Sequence, residues 1–378
     1  MDQGFSRPFR HDRLTPYIEI DAQRLERNLQ RMQQKADKAG VGLRPHVKTH
    51  KSVAIARRQM ALGAVGITVS KPSEGVAFIR GGIGDLLLAY PVVEAESLRE
   101  LLLEAQLHQA RVSCIAADLM GIDAIAGASR RQRCERLPVY IKVDVGLGRV
   151  GIRATDSPLA IELARHIERQ GLRFAGLVAH AGHAYGAHTG EQIAAIAAQE
   201  AQQLKTLGAL LRQAGFTRCA LSVGATPTAL GAPLAEGIDE QRPGNYALLD
   251  LTALRLGLCQ AGDLAMTVVT RVVAVNDRYA IIDAGSKALS SDRGPHGTGA
   301  SGWGVAVNAD NHQHYQVEKL SEEHGFIPHH GTPPPLGSLM RIFPNHSCAV
   351  MAMFNHYVLR NAQYDGEILP IDARGAFI

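Results

Sequence analysis

The chain has 378 residues, 46% of them hydrophobic, which is enough for a large core and for two domains. Its 40 basic and 36 acidic residues leave a net charge of +4 without a basic run, which argues against nucleic acid as a partner. No apolar stretch is long enough to span a membrane, the first 12 residues lack the apolar core of a signal peptide, and the five cysteines form no pairing pattern. We therefore expect a cytoplasmic protein with no membrane partner.

Strand-like and helical segments alternate from residue 17 onward. Residues 17–20 alternate as a strand, Asp21 is placed to cap a helix, and apolar side chains follow at helical spacing up to Gly40. The pattern then repeats, and each later run is followed by a segment that can form a helix. The predicted strands of this second series are residues 43–47, 67–70, 86–89, 112–116, 139–145, 174–180, 221–223 and 246–249.

These eight apolar runs predict a fold class. Strands buried on both faces in a parallel sheet are continuous apolar runs rather than alternating ones, so the series indicates a (β/α)8 barrel, which is an α/β fold. A doubly wound open sheet is the alternative. However, no G-x-G-x-x-G sequence follows the first strand, where that fold would carry its dinucleotide-binding turn.

The sequence changes character after about Leu256. Residues 266–275 are rich in β-branched side chains, residues 279–282 form another strand pattern, and no long helical pattern follows. We predict two domains. A barrel covers residues 16–255, and a mainly β domain covers residues 256–378 together with residues 1–15.

A cationic octapeptide, Arg-Pro-His-Val-Lys-Thr-His-Lys at residues 44–51, ends the first run of the barrel series. It places Lys48 near the carboxyl end of a strand, where the active sites of such barrels lie. Positive neighbours such as Arg44 and His46 would lower the pKa of this lysine and favour the neutral amine, which suits a Schiff base. A solvated basic turn is the alternative for this stretch alone.

Two later strand ends also carry polar side chains. Residues 144–149 form a glycine-flanked loop that ends in Arg149, and residues 180–186 place His180, His183 and Tyr185 at the same predicted rim. Loop residues of these types are often only solvated. If the barrel prediction is correct they surround Lys48, and we expect His183 to share the catalytic work with it.

Glycine-containing stretches accompany the seventh and eighth predicted strands. Residues 222–226 (Ser-Val-Gly-Ala-Thr) and 242–246 (Arg-Pro-Gly-Asn-Tyr) supply glycines, a threonine hydroxyl and backbone N–H groups where barrels commonly bind a phosphate. Tight turns need the same glycines. Together with a strand-end lysine, however, these stretches indicate a phosphorylated aldehyde as cofactor.

One pair of residues in the last third has the character of metal ligands. His346 and Cys348 lie two positions apart, so on an extended segment both side chains would project to one face and could reach a single Zn²⁺. A buried cysteine that serves only as a small apolar residue is the alternative.

Several of these stretches together resemble a known family, the pyridoxal-phosphate enzymes of the alanine-racemase barrel type. The resemblance is closer to the group that contains D-threonine aldolase, eukaryotic D-serine dehydratase and D-threo-3-hydroxyaspartate dehydratase, and it covers nearly the whole chain. The motifs that carry it are residues 44–51, 143–146, 180–185, 222–228, 282–285, 323–325 and 344–348.

The resemblance implies a role for individual residues and a homodimer. Lys48 would form the Schiff base with pyridoxal 5'-phosphate, and Arg149 would face the pyridine nitrogen and keep it unprotonated. The other implied contacts are Tyr185 near the cofactor, Thr226, Gly244 and Asn245 at its phosphate, and His346 and Cys348 at a divalent metal.

The predicted function is that of a lyase for a small β-hydroxy-D-amino acid. A thiolate with an imidazole prefers zinc, whereas an imidazole with a carboxylate suits Mn²⁺ or Mg²⁺, and the dehydratases of the family have cysteine at the second ligand position. We therefore favour zinc-assisted dehydration to a 2-oxo acid and ammonia. The alternative is a D-threonine aldolase, which gives glycine and an aldehyde. A racemase and a non-catalytic carrier of the cofactor fit less well, because neither needs the metal pair.

Overall fold

The structure is a computed structural model that describes residues 13–297, 300–308, 311–361 and 364–378. The predictions for residues 1–12, namely their place in the second domain and the missing signal-peptide core, lie outside the described residues. The described chain forms two compact units: one comprises Arg31–Lys48, Ser52–Gly244 and Gly375–Ile378, and the other comprises the described parts of Met1–Gln30, Thr49–Lys51 and Asn245–Arg374. The predicted domain limits, 16–255 and 256–378, stay a prediction.

Strands and helices alternate through the first two thirds of the chain, and strands dominate the last third. The described strands are β1 (Tyr17–Asp21), β2 (Gly42–Leu43), β3 (Ile67–Val69), β4 (Asp85–Pro91), β5 (Arg111–Ala116), β6 (Pro138–Asp144), β7 (Ile152–Arg153), β8 (Arg173–Val178), β9 (Ala220–Val223), β10 (Glu240–Gln241), β11 (Met266–Val275), β12 (Tyr279–Ile282), β13 (Val305–Asn308), β14 (His314–Gln316), β15 (Lys319–Leu320), β16 (Gly325–Pro328), β17 (Leu339–Phe343), β18 (His356–Asn361) and β19 (Tyr364–Pro370). The described helices are α1 (Ala22–Ala39), α2 (Val53–Ala61), α3 (Pro72–Arg80), α4 (Arg99–Leu107), α5 (Leu119–Arg131), α6 (Ser157–Arg169), α7 (Gly190–Gln213), α8 (Thr226–Gly231), α9 (Leu251–Arg255), α10 (Ser286–Leu289) and α11 (Ser347–Met351).

The first unit is a parallel β/α barrel. Its strands pair in the order β2-β10-β9-β8-β6-β5-β4-β3, all parallel, with the short β7 beside β6. The ring closes between β2 and β3, because His46 bridges to Thr68 and the Thr68 N–H donates to the Pro45 carbonyl over 2.7 Å. Inside it Leu87, Ile115 and Val178 pack together and are almost completely buried. The predicted fold class is confirmed.

Side-chain caps fix where several barrel helices begin. Asp118 accepts a hydrogen bond from the Gly121 N–H at the start of α5, and Thr189 accepts one from the Gln192 N–H at the start of α7. These caps satisfy backbone donors that have no partner inside the helix. They therefore define where each strand-to-helix loop at the rim ends.

Two of the predicted barrel strands need correction. Residues 246–249 form a turn rather than a strand, and the eighth barrel strand is β10, which was not predicted because its residues are polar. Glu240 in β10 is buried, and this is tolerated because its carboxylate accepts hydrogen bonds from Arg44 and from the Ser222 hydroxyl, each over 2.6 Å. The run 43–47 is also too long, because β2 ends at Leu43 and Val47–Thr49 forms a 3₁₀ turn.

The second unit is built on a sheet with the strand order β14-β13-β17-β11-β1-β18-β19. Its central strand β1 pairs antiparallel with β11 and parallel with β18. The predicted strands 266–275 and 279–282 are observed as β11 and β12, and the mainly β character of this region is confirmed. The strand predicted at 17–20 is present, but it belongs to this sheet and not to the barrel. Within the described chain, no helix has the length and apolar composition needed to cross a membrane.

Candidate active site

Lys48 lies on the 3₁₀ turn that follows β2, at the carboxyl end of the barrel strands. A cleft opens there with about 410 Å³ of empty volume, a figure that includes its open side toward the solvent. The residues that line the cleft are His46, Lys48, Ala89, Ile115, Lys142, Arg149, Val178, His180, Gly224 and Arg242.

The wall of this cleft is cationic. Among the described residues that line it, Lys48, Lys142, Arg149 and Arg242 carry basic groups, and none carries a carboxylate. Lys142 projects from β6 and is only 8% exposed, so burial, with help from Arg242, lowers the pKa of its ammonium group to about 7. The cleft therefore suits an anionic ligand and offers no acidic partner to a ring nitrogen.

The loop after β6 directs Arg149 into the cleft. Asp144 ends the strand, and one of its carboxylate oxygens accepts hydrogen bonds from the N–H groups of Gly146, Leu147 and Gly148 over 3.0, 3.0 and 3.1 Å. Burial alone would raise the pKa of Asp144, but these three donors outweigh burial and lower it. The predicted glycine-flanked loop is thus wound around one carboxylate.

The two histidines after β8 have different surroundings. His180 lines the cleft, and its Nδ1 lies 2.5 Å from the Gly224 carbonyl oxygen, so this nitrogen carries the proton. Burial, Lys48 and Lys142 hold the pKa of His180 well below its usual value, and the ring is therefore neutral. His183 does not line the cleft. Its ring packs against the loop after β6, where a Cβ on Gly146 would lie 3.3 Å away.

Tyr185 belongs to the same 3₁₀ turn as His183, Gly182–Gly186, and is half-buried. It is not among the residues that line the cleft. The structure therefore brings Lys48 and Arg149 to one cleft and places His183 and Tyr185 on an adjoining turn. Burial lowers the pKa of His183, and Asp144 offsets this only in part.

The stretch after β9 fits a phosphate. Gly224 has a φ of +152°, and a Cβ there would lie 2.5 Å from the backbone nitrogen of Arg242. Only glycine therefore allows these two backbone segments to approach each other this closely. Two residues later, the Thr226 hydroxyl is buried and has no hydrogen-bond partner among the described residues. A buried hydroxyl of this kind is rare unless a ligand or water satisfies it.

Gly244 ends the barrel unit, and Asn245 begins the other unit. The side chain of Asn245 is already occupied, because its Nδ2 donates to Asp250 over 2.7 Å and its Oδ1 accepts from the Ser347 hydroxyl over 2.6 Å. If Asn245 contacts a phosphate, the contact must therefore come from its backbone N–H. The predicted role of Gly244 and Asn245 at a phosphate stays a prediction.

The candidate metal pair lies at the start of α11 in the second unit. His346 is the N-cap of this helix and Cys348 lies within it, so the assumption of an extended segment was wrong. The two side chains nevertheless hydrogen-bond to each other, and Asp292 binds His346 Nδ1 over 2.7 Å. Burial opposes the charged imidazole, but Cys348 and Asp292 outweigh it and raise the pKa of His346 to about 10.

This pair offers two donor atoms of the kind that bind a metal ion. In the described residues, no group of three or more His, Cys, Asp or Glu side chains is arranged to hold a metal. Because Asp292 occupies Nδ1, the Nε2 atom of His346 and the Cys348 thiolate are the donors that remain, and the carboxylate fixes the ring as carboxylates do behind metal-bound histidines. Cys348 Sγ also lies 3.2 Å from the hydroxyl of Thr49, the residue that follows Lys48 in the sequence.

Several residues of these sites were not predicted. Lys142 was hidden in an apolar strand run, where a single buried lysine was the available signal. Arg242 begins the stretch 242–246 that was predicted to contribute to a phosphate site, but its side chain, which is buried and lines the cleft, was given no role. Asp292 lies 54 positions from His346, and no local pattern indicates that contact.

The profile of the family described as "Alanine racemase, N-terminal domain" matches residues 20–250, which is more than half of the chain. The protein belongs to this family. A second profile, "Putative serine dehydratase domain", matches residues 265–360. The resemblance inferred from the motifs is therefore confirmed.

The chain is also similar to named members of the family. It is 36% identical over 356 residues to the D-threo-3-hydroxyaspartate dehydratase of Delftia sp. (strain HT23), an alignment that covers 91% of this chain and 93% of the relative. It is 30% identical over 367 residues to the D-threonine aldolase of Arthrobacter sp, with 96% and 93% covered. A solved structure of the Delftia enzyme superposes with a TM-score of 0.89 at 34% identity over 95% of this chain and 98% of that one. A mutant of that dehydratase has been solved in the metal-free form.

Proposed function

We propose that this protein is a pyridoxal-phosphate-dependent lyase that dehydrates a small β-hydroxy-D-amino acid to a 2-oxo acid and ammonia. The class, a lyase of this cofactor family for β-hydroxy-D-amino acids, was predicted from the sequence and is confirmed by the family and by its relatives. The choice of dehydration is the proposal. The observation that carries it is the contact between His346 and Cys348, since an imidazole and a thiolate form a zinc-preferring pair.

When bound, the cofactor supplies an aldehyde for a Schiff base and an electron-accepting ring. In our proposal Lys48 would provide the amine for that aldehyde and, once the amino group of the substrate had displaced it, would remove the Cα proton of the substrate. The cationic cleft wall draws in the phosphate, which Thr226 receives with its buried hydroxyl and Gly244 and Asn245 with their backbone. Tyr185 and His183, on the adjoining 3₁₀ turn, would lie beside the bound cofactor.

We assign the ring nitrogen to a guanidinium group. The described cleft wall contains no carboxylate that could protonate it, whereas it contains Arg149 and Arg242. Arg242 already donates to Ser222 and to the carbonyls of Ala179 and Val223, so Arg149 is the better candidate. A ring whose nitrogen is unprotonated is a weaker electron acceptor, so groups of the protein must contribute more to the reaction.

The metal site would contribute at the β-carbon. His346 Nε2 and the Cys348 thiolate would hold a divalent metal, zinc in preference to Mn²⁺ or Mg²⁺, which would supply Lewis-acid chemistry toward the β-hydroxyl. We also propose a homodimer in the cytoplasm. The described cysteines form no disulfide bond, which agrees with a reducing compartment.

Retro-aldol cleavage is the second candidate, and the 30% identical D-threonine aldolase favours it. The deciding assay offers D-serine, D-threonine, D-phenylserine and D-3-hydroxyaspartate to the holoenzyme and measures both product sets. A 2-oxo acid with equimolar ammonia supports the dehydratase. Release of glycine and an aldehyde would show that the protein is an aldolase and not a dehydratase. Interconversion of the D and L forms alone would contradict both candidate functions.

A further inference from the structure

Helix α7 carries a carboxylate on its buried face. Glu200 is 2% exposed, and its neighbours on that face, such as Ile193 and Leu204, are apolar. Burial raises the pKa of this carboxyl group. A buried charge is costly unless hydrogen bonds and an opposite charge compensate for it, so the partners of Glu200 indicate its purpose.

These partners are backbone N–H groups at two strand ends. The Ala181 N–H, after β8, donates to Glu200 Oε1 over 3.0 Å, and the Gly224 N–H, after β9, donates to the same carboxylate. Ala181 follows His180 of the cleft wall, and Gly224 lies two residues before the buried hydroxyl of Thr226. One carboxylate therefore joins the histidine loop to the loop that fits a phosphate.

Arg242 makes the complementary contacts. Its guanidinium donates to the carbonyl oxygens of Ala179 and Val223, which belong to the same two strand ends. Its charge also lowers the pKa of Glu200 and so counteracts burial. The Glu200 carboxylate thus binds N–H groups of the two strand ends, and the Arg242 guanidinium binds their carbonyl oxygens. Hydrogen bonds to charged groups are stronger than those between neutral groups.

We propose that Glu200 is a positioning residue that fixes the spacing of these two loops and thereby sets the affinity for the phosphate of the cofactor. The inference rests on the proposed function, because it takes residues 224–226 as the phosphate site. Glu200 itself touches neither cofactor nor substrate. It acts through the backbone of Ala181 and Gly224.

The test compares the wild-type protein with Glu200→Gln. Glutamine has the same shape, but it is uncharged and has only one acceptor oxygen for the two N–H donors. Glu200 also lines an alanine-rich cavity of about 230 Å³, so the exchange does not overpack α7. The dissociation constants of the apoproteins are measured for pyridoxal phosphate and for pyridoxal, which lacks the phosphate. We expect the affinity for pyridoxal phosphate to fall about tenfold and that for pyridoxal to stay unchanged.

Glu168→Gln is the matched control. The Glu168 carboxylate also accepts a backbone N–H, that of Phe174 over 2.9 Å, but at the opposite end of β8. This variant should keep the wild-type ratio of the two affinities. Glu200→Asp is a second variant, which keeps the negative charge but has a side chain shorter by one methylene, so its oxygens lie farther from the two N–H donors. It should also lower the affinity for pyridoxal phosphate relative to that for pyridoxal.

An unchanged ratio in both Glu200 variants overturns the proposal. Equal losses of both affinities, together with a lower melting temperature, would assign Glu200 a purely structural role and overturn it as well. Failure of the cofactor assignment on which the proposed function depends has a different result. In that case, borohydride treatment of the wild-type protein with pyridoxal phosphate would leave Lys48 unlabelled.

Discussion

Lys48 and Lys142 both present an amine to the cleft, and only one is expected to bind the cofactor covalently. Lys48 lies on the turn after β2, whereas Lys142 projects from the interior of β6. We predict that Lys48→Ala abolishes the absorbance band of the bound cofactor at about 420 nm. Borohydride reduction followed by peptide mass spectrometry should locate the pyridoxyl group on Lys48. Lys142→Met is the control that keeps this label, and a label at Lys51 or Lys142 in the wild-type protein would contradict the assignment.

Arg149 should change the electronic properties of the cofactor rather than bind the substrate. Its loop is wound around Asp144, and the described residues of the cleft wall supply no carboxylate for the ring nitrogen. Arg149→Glu would protonate this nitrogen, and we expect a new long-wavelength absorbance band on addition of substrate. Arg153→Glu, in β7, which pairs with β6, controls for the charge change. An unchanged spectrum with only a raised KM would show that Arg149 binds substrate instead.

The buried ammonium group of Lys142 should make stability depend on pH. Its pKa is about 7 in the folded protein and 10.5 ordinarily, so between these values the unfolded chain binds more protons than the folded one. Stability from this group therefore rises with pH from 7 to about 10.5, and the full penalty is present below pH 7.

Lys142→Met removes that penalty. We expect the variant to be more stable than the wild type by roughly 2 kcal/mol at pH 6.5, with a gap that narrows toward pH 10. Urea denaturation at several pH values measures it, and Lys38→Met, at an exposed position of α1, should show no such trend. A gap that does not depend on pH would mean that the pKa of Lys142 is the same in the folded and the unfolded chain.

At the scale of elements, apolar runs predicted most of the barrel strands because strands covered on both faces need apolar residues throughout. The same rule failed at β10, where buried Glu240 is compensated by Arg44 and Ser222, contacts that are remote in sequence. It also failed at residues 246–249, because a buried turn can be as apolar as a strand. The same distinction applies to the site. Lys48 could be predicted from its neighbours in sequence, whereas the contacts of Glu200 and Asp292 are with residues far away in sequence and could not be predicted.

The turn after β9 is the element on which the phosphate site depends, and glycine is required there. We predict that Gly224→Ala destabilises the protein by at least about 1–3 kcal/mol, because a Cβ would meet the Arg242 backbone at a φ of +152°. It should also abolish the affinity for pyridoxal phosphate. Gly186→Ala is the control, since a Cβ there meets no atom within 4 Å. Normal thermal stability of Gly224→Ala would show that this turn can shift freely.

At the scale of the whole molecule, the family matches divide the chain as its two units do in outline. The racemase-type profile covers residues 20–250, and the serine dehydratase profile covers residues 265–360. The first region contains Lys48 and the cationic cleft, and the second contains His346 and Cys348. We therefore expect the choice of reaction to depend on residues that the second region adds to the barrel.

The metal preference of the second region is the last prediction. The wild-type protein should bind zinc more tightly than Mn²⁺, because a thiolate is a softer ligand than a carboxylate. Cys348→Asp should narrow or reverse this preference while the Asp292 contact still orients His346. Protein stripped with a chelator is titrated with each metal in competition with an indicator, and the products from D-threonine are measured after reconstitution. Cys134→Ser, at a half-buried cysteine of the barrel unit, should leave both metal affinities unchanged. If the stripped wild-type protein regains activity with Mn²⁺ but not with zinc and releases glycine and acetaldehyde, the enzyme is an aldolase.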